Sequence, residues 1–147
     1  MIFIDANVLL YAYDETSPSH EVARAWLERT LEGAEEVRIP LTTALAFVRI
    51  GTNSMAFSVP LETAEAIEIV AGWLERPGVG LGLPTDTHWT TLRETAGGGQ
   101  ARGPLVMDAH LAALTIEHGG VLFTTDRDFA RFSGLKFRNP LTENGPA

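Results

Sequence analysis

Four aspartates carry the chemistry that this sequence offers. Asp5 follows the apolar run Ile2-Phe3-Ile4, Asp108 stands at the head of a helical pattern, and Asp126 and Asp128 follow Val121-Leu122-Phe123. The first three fall where an apolar element meets its connection, the place where a parallel sheet gathers ligand-binding groups at the carboxyl ends of its strands. Carboxylates brought together there repel one another, by about 4 kcal/mol for a pair near 4 Å at an effective dielectric of 20. A divalent cation resolves that conflict, and Mg²⁺ in particular takes a few carboxylates and keeps several waters. The chemistry that follows is metal activation of water and stabilisation of an in-line displacement at phosphorus.

Each acid also has a structural reading. Asp108 serves equally well as a helix N-cap. Asp126 and Asp128 suit an Asx-turn or a cap for Phe129 to Phe132. Asp5 is harder to explain this way, because an unpaired carboxylate directly after an apolar strand is costly to bury. His88, His110 and His118 are scattered along the chain and read as surface or capping residues, while Trp26, Trp73 and Trp89 read as core or interface anchors on amphipathic helices.

Strand and helix signals alternate from end to end, with no repeat, linker or low-complexity tract. That alternation predicts a parallel sheet with helices on both faces. Strands are expected at Ile2 to Ile4, Glu36 to Pro40, Val79 to Leu83, Val121 to Thr124 and Leu135 to Phe137. Helices are expected through Val8 to Tyr13, from Ser17-Pro18 to about Leu31, and after a Thr42 or Thr43 cap as far as Gly51-Thr52-Asn53. Further helices should run over Leu61 to Arg76, from Asp86 to about Ala96 with Gly97-Gly98-Gly99 breaking the pattern, and from Asp108 to His118-Gly119-Gly120.

With 147 residues, 45% of them hydrophobic, the chain suits one domain, read as residues 1–141 with a short tail at 142–147. No apolar stretch is long enough to span a bilayer and no signal peptide is evident, so a soluble, cytoplasmic protein with no membrane partner is expected. The absence of cysteine excludes disulfides, thiol nucleophiles and thiolate-bound zinc. A net charge of −8 argues against a broad positive face for DNA, though acids gathered around a metal are compatible with a nuclease. The chain lacks the Gly-Lys-Ser/Thr of a phosphate loop, the Gly-x-Ser-x-Gly elbow, and a second histidine four residues after His20.

Read in order, Ile2-Phe3-Ile4-Asp5-Ala6-Asn7, Arg49-Ile50-Gly51-Thr52-Asn53, Met107-Asp108-Ala109-His110-Leu111-Ala112-Ala113, Thr124-Thr125-Asp126-Arg127-Asp128-Phe129 and Asn139-Pro140-Leu141 resemble the PIN-domain ribonucleases, and among them the VapC toxins of toxin-antitoxin pairs. The likeness covers nearly the whole chain. It implies an α/β PIN domain with a parallel five-stranded sheet in the order 3-2-1-4-5, a Mg²⁺ or Mn²⁺ site, cleavage of RNA (transfer, ribosomal or messenger), a VapB-type antitoxin that neutralises the enzyme, and a homodimer. By the same resemblance Asp5, Asp108 and Asp126 match the metal-binding and catalytic acids, and Asp128 is an additional candidate. Asn7 and Thr124 match supporting polar residues. Arg49 is a candidate for a phosphate contact, for pairing with the acids, or for a structural salt bridge. The broader family often has a glutamate where this chain has Ala46, so Asp128 or water is expected to complete the shell. Two other functions share parts of this pattern. A haloacid-dehalogenase-like phosphatase needs a second aspartate where this chain has Asn7, and a lysine in the site where only Lys136 is present. The other is a catalytically silent PIN fold kept for binding.

Overall fold

The computed structural model describes residues 1–142. Its centre is β1, Ile2–Ile4, three apolar residues with no polar neighbour to turn outward, and all three are buried. A strand buried on both faces belongs in the middle of a parallel sheet. Here β1 pairs in parallel with β2 (Val37–Pro40) on one side and with β4 (Val121–Phe123) on the other. The sheet is completed by β3 (Val79–Gly82) beside β2 and β5 (Phe137–Arg138) beside β4, giving the order β3-β2-β1-β4-β5 that the resemblance implied.

Alternate residues of each strand feed two cores. On one face Ile2, Ile4, Val37, Ile39 and Phe123 pack under α1 (Ala6–Tyr13), α2 (His20–Glu32), α3 (Leu41–Gly51) and α4 (Thr63–Leu74). Trp26 and Trp73 belong to this core, and the Trp73 indole donates to Tyr13 Oη at 3.1 Å. On the other face Phe3 and Leu122 lie under α5 (His88–Gly98) and α6 (Leu105–Glu117). Trp89 is not a core residue. Its side chain is 72% exposed at the start of α5.

Several boundaries differ from the sequence expectations, each for a local reason. Pro18 lies in a turn and α2 begins at His20. The third helix opens directly at Leu41 after Pro40, with no threonine cap. The helix α5 runs through Gly97 and Gly98, and stops at Gly99, where a Cβ would sit 2.6 Å from the Phe132 ring. The last strand lies one or two residues later than its apolar run suggested.

Two glycines set the junction that feeds the central strands. Gly119 has φ +68°, and the amides of Gly119 and Gly120 donate to the carbonyls of Ile116 and Thr115, closing α6 with a Schellman pair. A Cβ on Gly120 would stand 2.6 Å from the Phe3 ring, so the chain passes against β1 only as glycine. The last strand but one can then begin directly beside Met1, whose carbonyl accepts from Val121 N at 3.0 Å.

Candidate active site

The carboxyl edge of the sheet gathers the acids. Asp5 leaves β1 with its backbone N–H donating to the Phe123 carbonyl at 3.0 Å, so the β1–β4 ladder itself fixes where its side chain emerges. One carboxylate oxygen, Oδ1, accepts from Ala6 N at 2.8 Å and caps α1; the other, Oδ2, accepts from the Thr124 hydroxyl at 2.8 Å. Thr124 Oγ1 in turn accepts from Asp126 N at 3.1 Å. The fully buried Thr124 thereby couples the ends of two neighbouring strands. Asp126 uses Oδ1 to accept from Asp128 N at 2.8 Å, capping the 3₁₀ turn Arg127–Arg131. Capping and site placement are therefore performed by the same side chains.

Asp108 is not the N-cap that its sequence position suggested. The helix α6 starts three residues earlier, at Leu105 after Pro104, and Asp108 is the fourth residue of its first turn. It projects into the cleft that Asp5 also lines, together with Ala6, Thr42, Thr43, Leu45, Ala46, Arg49, Met107 and Leu111. The cleft has a volume of about 320 Å³. Arg49 is exposed and, among the described residues, makes no ion pair, which leaves its salt-bridge reading without support. Ala46, at the position of the family glutamate, contributes only a methyl group to the wall.

The electrostatics mark this as an uncompensated site. Burial pushes the Asp5 carboxyl above the usual carboxylate range, against the hydrogen bonds from Thr124 and Ala6, and the charge on Asp126 adds to the rise. Burial also raises Asp108, to about 6, and the charges on Asp126, Asp5 and Asp128 push the same way while Arg131 opposes them. Asp108 thus feels three other acids, with one guanidinium in partial answer. Asn7 differs from its expected supporting role: its Oδ1 is buried with no hydrogen-bond partner.

Sequence reading missed a second polar cluster. His88 and His110 are not scattered: His88 Nδ1 lies 2.8 Å from Glu117 Oε2, and His88 Nε2 lies 2.8 Å from His110 Nδ1. The other Glu117 oxygen accepts from Thr85 N at 2.9 Å. The seven-residue spacing of His110 and Glu117, one face of a helix, was the available signal. His118 Nε2 donates to the Leu83 carbonyl at 2.8 Å, and its ring lies 5.6 Å from that of Phe3.

The family model of the PIN domain matches residues 2–135. The chain is 41% identical over 140 residues to ribonuclease VapC37 of Mycobacterium tuberculosis, covering 95% of this chain and 97% of that one. The chain belongs to the VapC ribonucleases of the PIN-domain family. Ribonuclease VapC33 of the same organism is 35% identical over 143 residues, with 97% of this chain and all of that protein covered. The VapC fold is also seen in VapBC2 of Rickettsia felis, solved on a DNA fragment from its promoter, at a TM-score of 0.66 and 18% identity over 95% of this chain and 98% of that one. PIN-domain ribonucleases depend on divalent metal, and the ribonuclease relatives support neither the phosphatase nor the silent-binding alternative. No helix among the described residues is long and apolar enough to cross a membrane.

Proposed function

We propose that this VapC ribonuclease hydrolyses RNA phosphodiester bonds with Mg²⁺ held by Asp5, Asp108 and Asp126, with Mn²⁺ as a substitute. The observation that carries the reading is the set of carboxylates, three of them partly buried, at one sheet edge, where burial and the neighbouring charges raise Asp108 to about 6. The donor set fits a hard cation, since every group is a carboxylate oxygen. Among the described residues no three acids or histidines stand close enough to cage an ion. That openness suits a cation bound directly by one or two of the three carboxylates and reached by the rest through its waters, and unsatisfied Asn7 Oδ1 is an acceptor in want of a donor.

Bound there, the cation would offset charge on the scissile phosphate and acidify the attacking water. The protein's share of the work is positional. The Thr124 hydroxyl fixes the Asp5 carboxylate from one side and the Ala6 amide from the other, leaving its remaining lone pairs directed by the end of β1. Asp126 keeps Oδ2 free to orient water, since Oδ1 is occupied by the Asp128 amide. Arg49, across the cleft on α3, supplies a guanidinium for a non-bridging phosphate oxygen. Asp128 or water fills the place left by Ala46.

A VapB-type antitoxin is proposed as the partner, on the strength of the VapBC relative and of the apolar rim of the cleft, where Leu45 and Met107 stand exposed. A homodimer is proposed from the family resemblance. Incubating purified protein with RNA in Mg²⁺, then with EDTA, and then as Asp5→Asn tests the reading. Cleavage is expected only in the first case, and cleavage without metal or full activity in Asp5→Asn would overturn it. Light scattering of the protein alone and with co-expressed antitoxin tests the assembly.

A further inference from the structure

The charges of this protein are distributed very unevenly about the cleft. Residues 1–85 hold twelve of the nineteen acidic groups and five of the eleven basic ones. Three of those five arginines are neutralised by glutamates: Arg24 by Glu28 at 3.0 Å, Arg38 by Glu36 at 3.3 Å and Arg76 by Glu32 at 3.8 Å. Exposed Glu62, Glu65, Glu68 and Glu75 line α4 and its ends with no basic residue among them. The β3 side of the cleft is thus anionic.

The rest of the chain is nearly balanced, with seven acidic groups and six basic ones. Among the described residues none of Arg93, Arg102, Arg127, Arg131, Lys136 and Arg138 makes an ion pair, and all are exposed. Three of them stand on connections that also carry the site. Arg127 and Arg131 lie on the 3₁₀ turn that Asp126 caps. Arg102 lies on the loop that leads into the first turn of α6 and Asp108. That loop is clasped to the 3₁₀ turn, because Arg131 Nη1 donates to the Gly99 carbonyl at 3.2 Å and Gly99 abuts Phe132. Arg138 is on the edge strand next to Thr124, its carbonyl accepting from Thr124 N at 2.9 Å.

We infer that the RNA strand crosses the cleft toward β5, with its phosphates on Arg102, Arg127, Arg131 and Arg138, and is turned away from the β3 side by the α4 glutamates. This rests on the ribonuclease reading and adds to it the direction and the residues of backbone recognition. Phosphate contacts of this kind fix position and register without reading bases, so the arc gives affinity on any sequence. An anionic protein needs such a device, since its overall charge repels the substrate. Gathering most of the unpaired guanidinium groups on the β5 side, with Arg49 in the cleft itself, lets the strand approach despite the net charge of −8.

The test is equilibrium binding of a labelled single-stranded oligoribonucleotide to the protein in EDTA, over a series of KCl concentrations. Arg102→Gln and Arg127→Gln are each expected to weaken binding about tenfold at low salt and to flatten the slope of log affinity against log salt by about 0.7. The glutamate-paired controls Arg24→Gln and Arg76→Gln are expected to match the wild type in both. Thermal unfolding of each variant shows that the fold is kept. Wild-type affinity and slope in Arg102→Gln and Arg127→Gln, or equal losses in all four variants, would overturn the inference, as would loss of antitoxin binding by those two variants without change in RNA binding. Wild-type protein that cleaves no RNA in Mg²⁺ brings down the ribonuclease reading and the arc with it, which separates the two failures.

Discussion

Asp108 and Glu117 lie on the same helix, nine residues apart, and meet opposite treatment. Glu117 is almost fully buried, yet both of its oxygens are engaged, one by the His88 ring and one by the Thr85 amide. The first acid of the pair, less deeply buried, faces three other carboxylates and is lifted to about 6 by burial and their charges. A chain able to satisfy one carboxylate so fully on α6 leaves the other in deficit. The difference separates an acid that holds two helices together from one left uncompensated, as the proposed cation site requires.

The largest effect expected from breaking this contrast is catalytic. Asp5→Asn should lower RNA cleavage roughly a thousandfold without loss of thermal stability, because it removes one charge from a repelling set. Initial rates and unfolding midpoints measured on the same preparation check both halves. Glu117→Ala should do the reverse. Cleavage stays near wild type while stability falls by about 3 kcal/mol, as expected when a buried pair loses one partner, which lowers the midpoint by roughly 6–12 °C for a domain of this size. If Glu117→Ala loses activity with its midpoint unchanged, the contrast collapses.

Metal should distinguish the two acids next. Mg²⁺ at about a hundred times its dissociation constant is expected to stabilise the folded protein by about 2.7 kcal/mol. Calorimetry should find that gain abolished in Asp5→Asn and Asp108→Asn and preserved in Glu117→Ala.

The pH dependence of the metal-free protein sharpens the comparison further. Asp108 rises from its ordinary value of 3.8 to about 6 on folding, so between these values the folded chain binds more protons than the unfolded one. Unfolding free energy must then fall as pH rises through that window. Denaturant titrations at pH 4 to 7 in EDTA should show the decline, and Asp108→Asn should flatten it.

The smallest effect concerns the vacancy left by Ala46. Asp128→Asn is expected to weaken Mg²⁺ binding several-fold, on the order of the lesser charge contributions in such clusters. Wild-type metal affinity and cleavage in that variant would remove Asp128 from the site.

Much of this arrangement is written locally. An all-apolar Ile2-Phe3-Ile4 ending in an acid announces a central strand with a site at its tip, and Val121 to Thr124 before Asp126 announces its neighbour. The strand order came from the family resemblance, since periodicity says nothing about which strands adjoin. The start of α6 is masked in the sequence because Asp108 resembles a cap, whereas Pro104 just ahead of Leu105 is the better signal for a first turn. The glycine triplet was read as a break, but packing of α5 on α6 carried the helix through two of the three. The His88–His110–Glu117 cluster is only half legible for a related reason: spacing puts His110 and Glu117 on one face of α6, but His88 meets them only after two helices have docked. The clustering of unpaired arginines toward β5 likewise needed the sheet order before the charges could be assigned to sides.

The pairing of β1 with β4 joins residues 2–4 to residues 121–123. During synthesis the first strand must wait for its neighbour, roughly 6–25 s at ordinary elongation rates. Until then Asp5 exists without the Thr124 hydroxyl that orients it and without Asp126 beside it. A chain truncated before that point would lack Thr124 and Asp126, so the proposed site would be assembled only once β4 had joined β1.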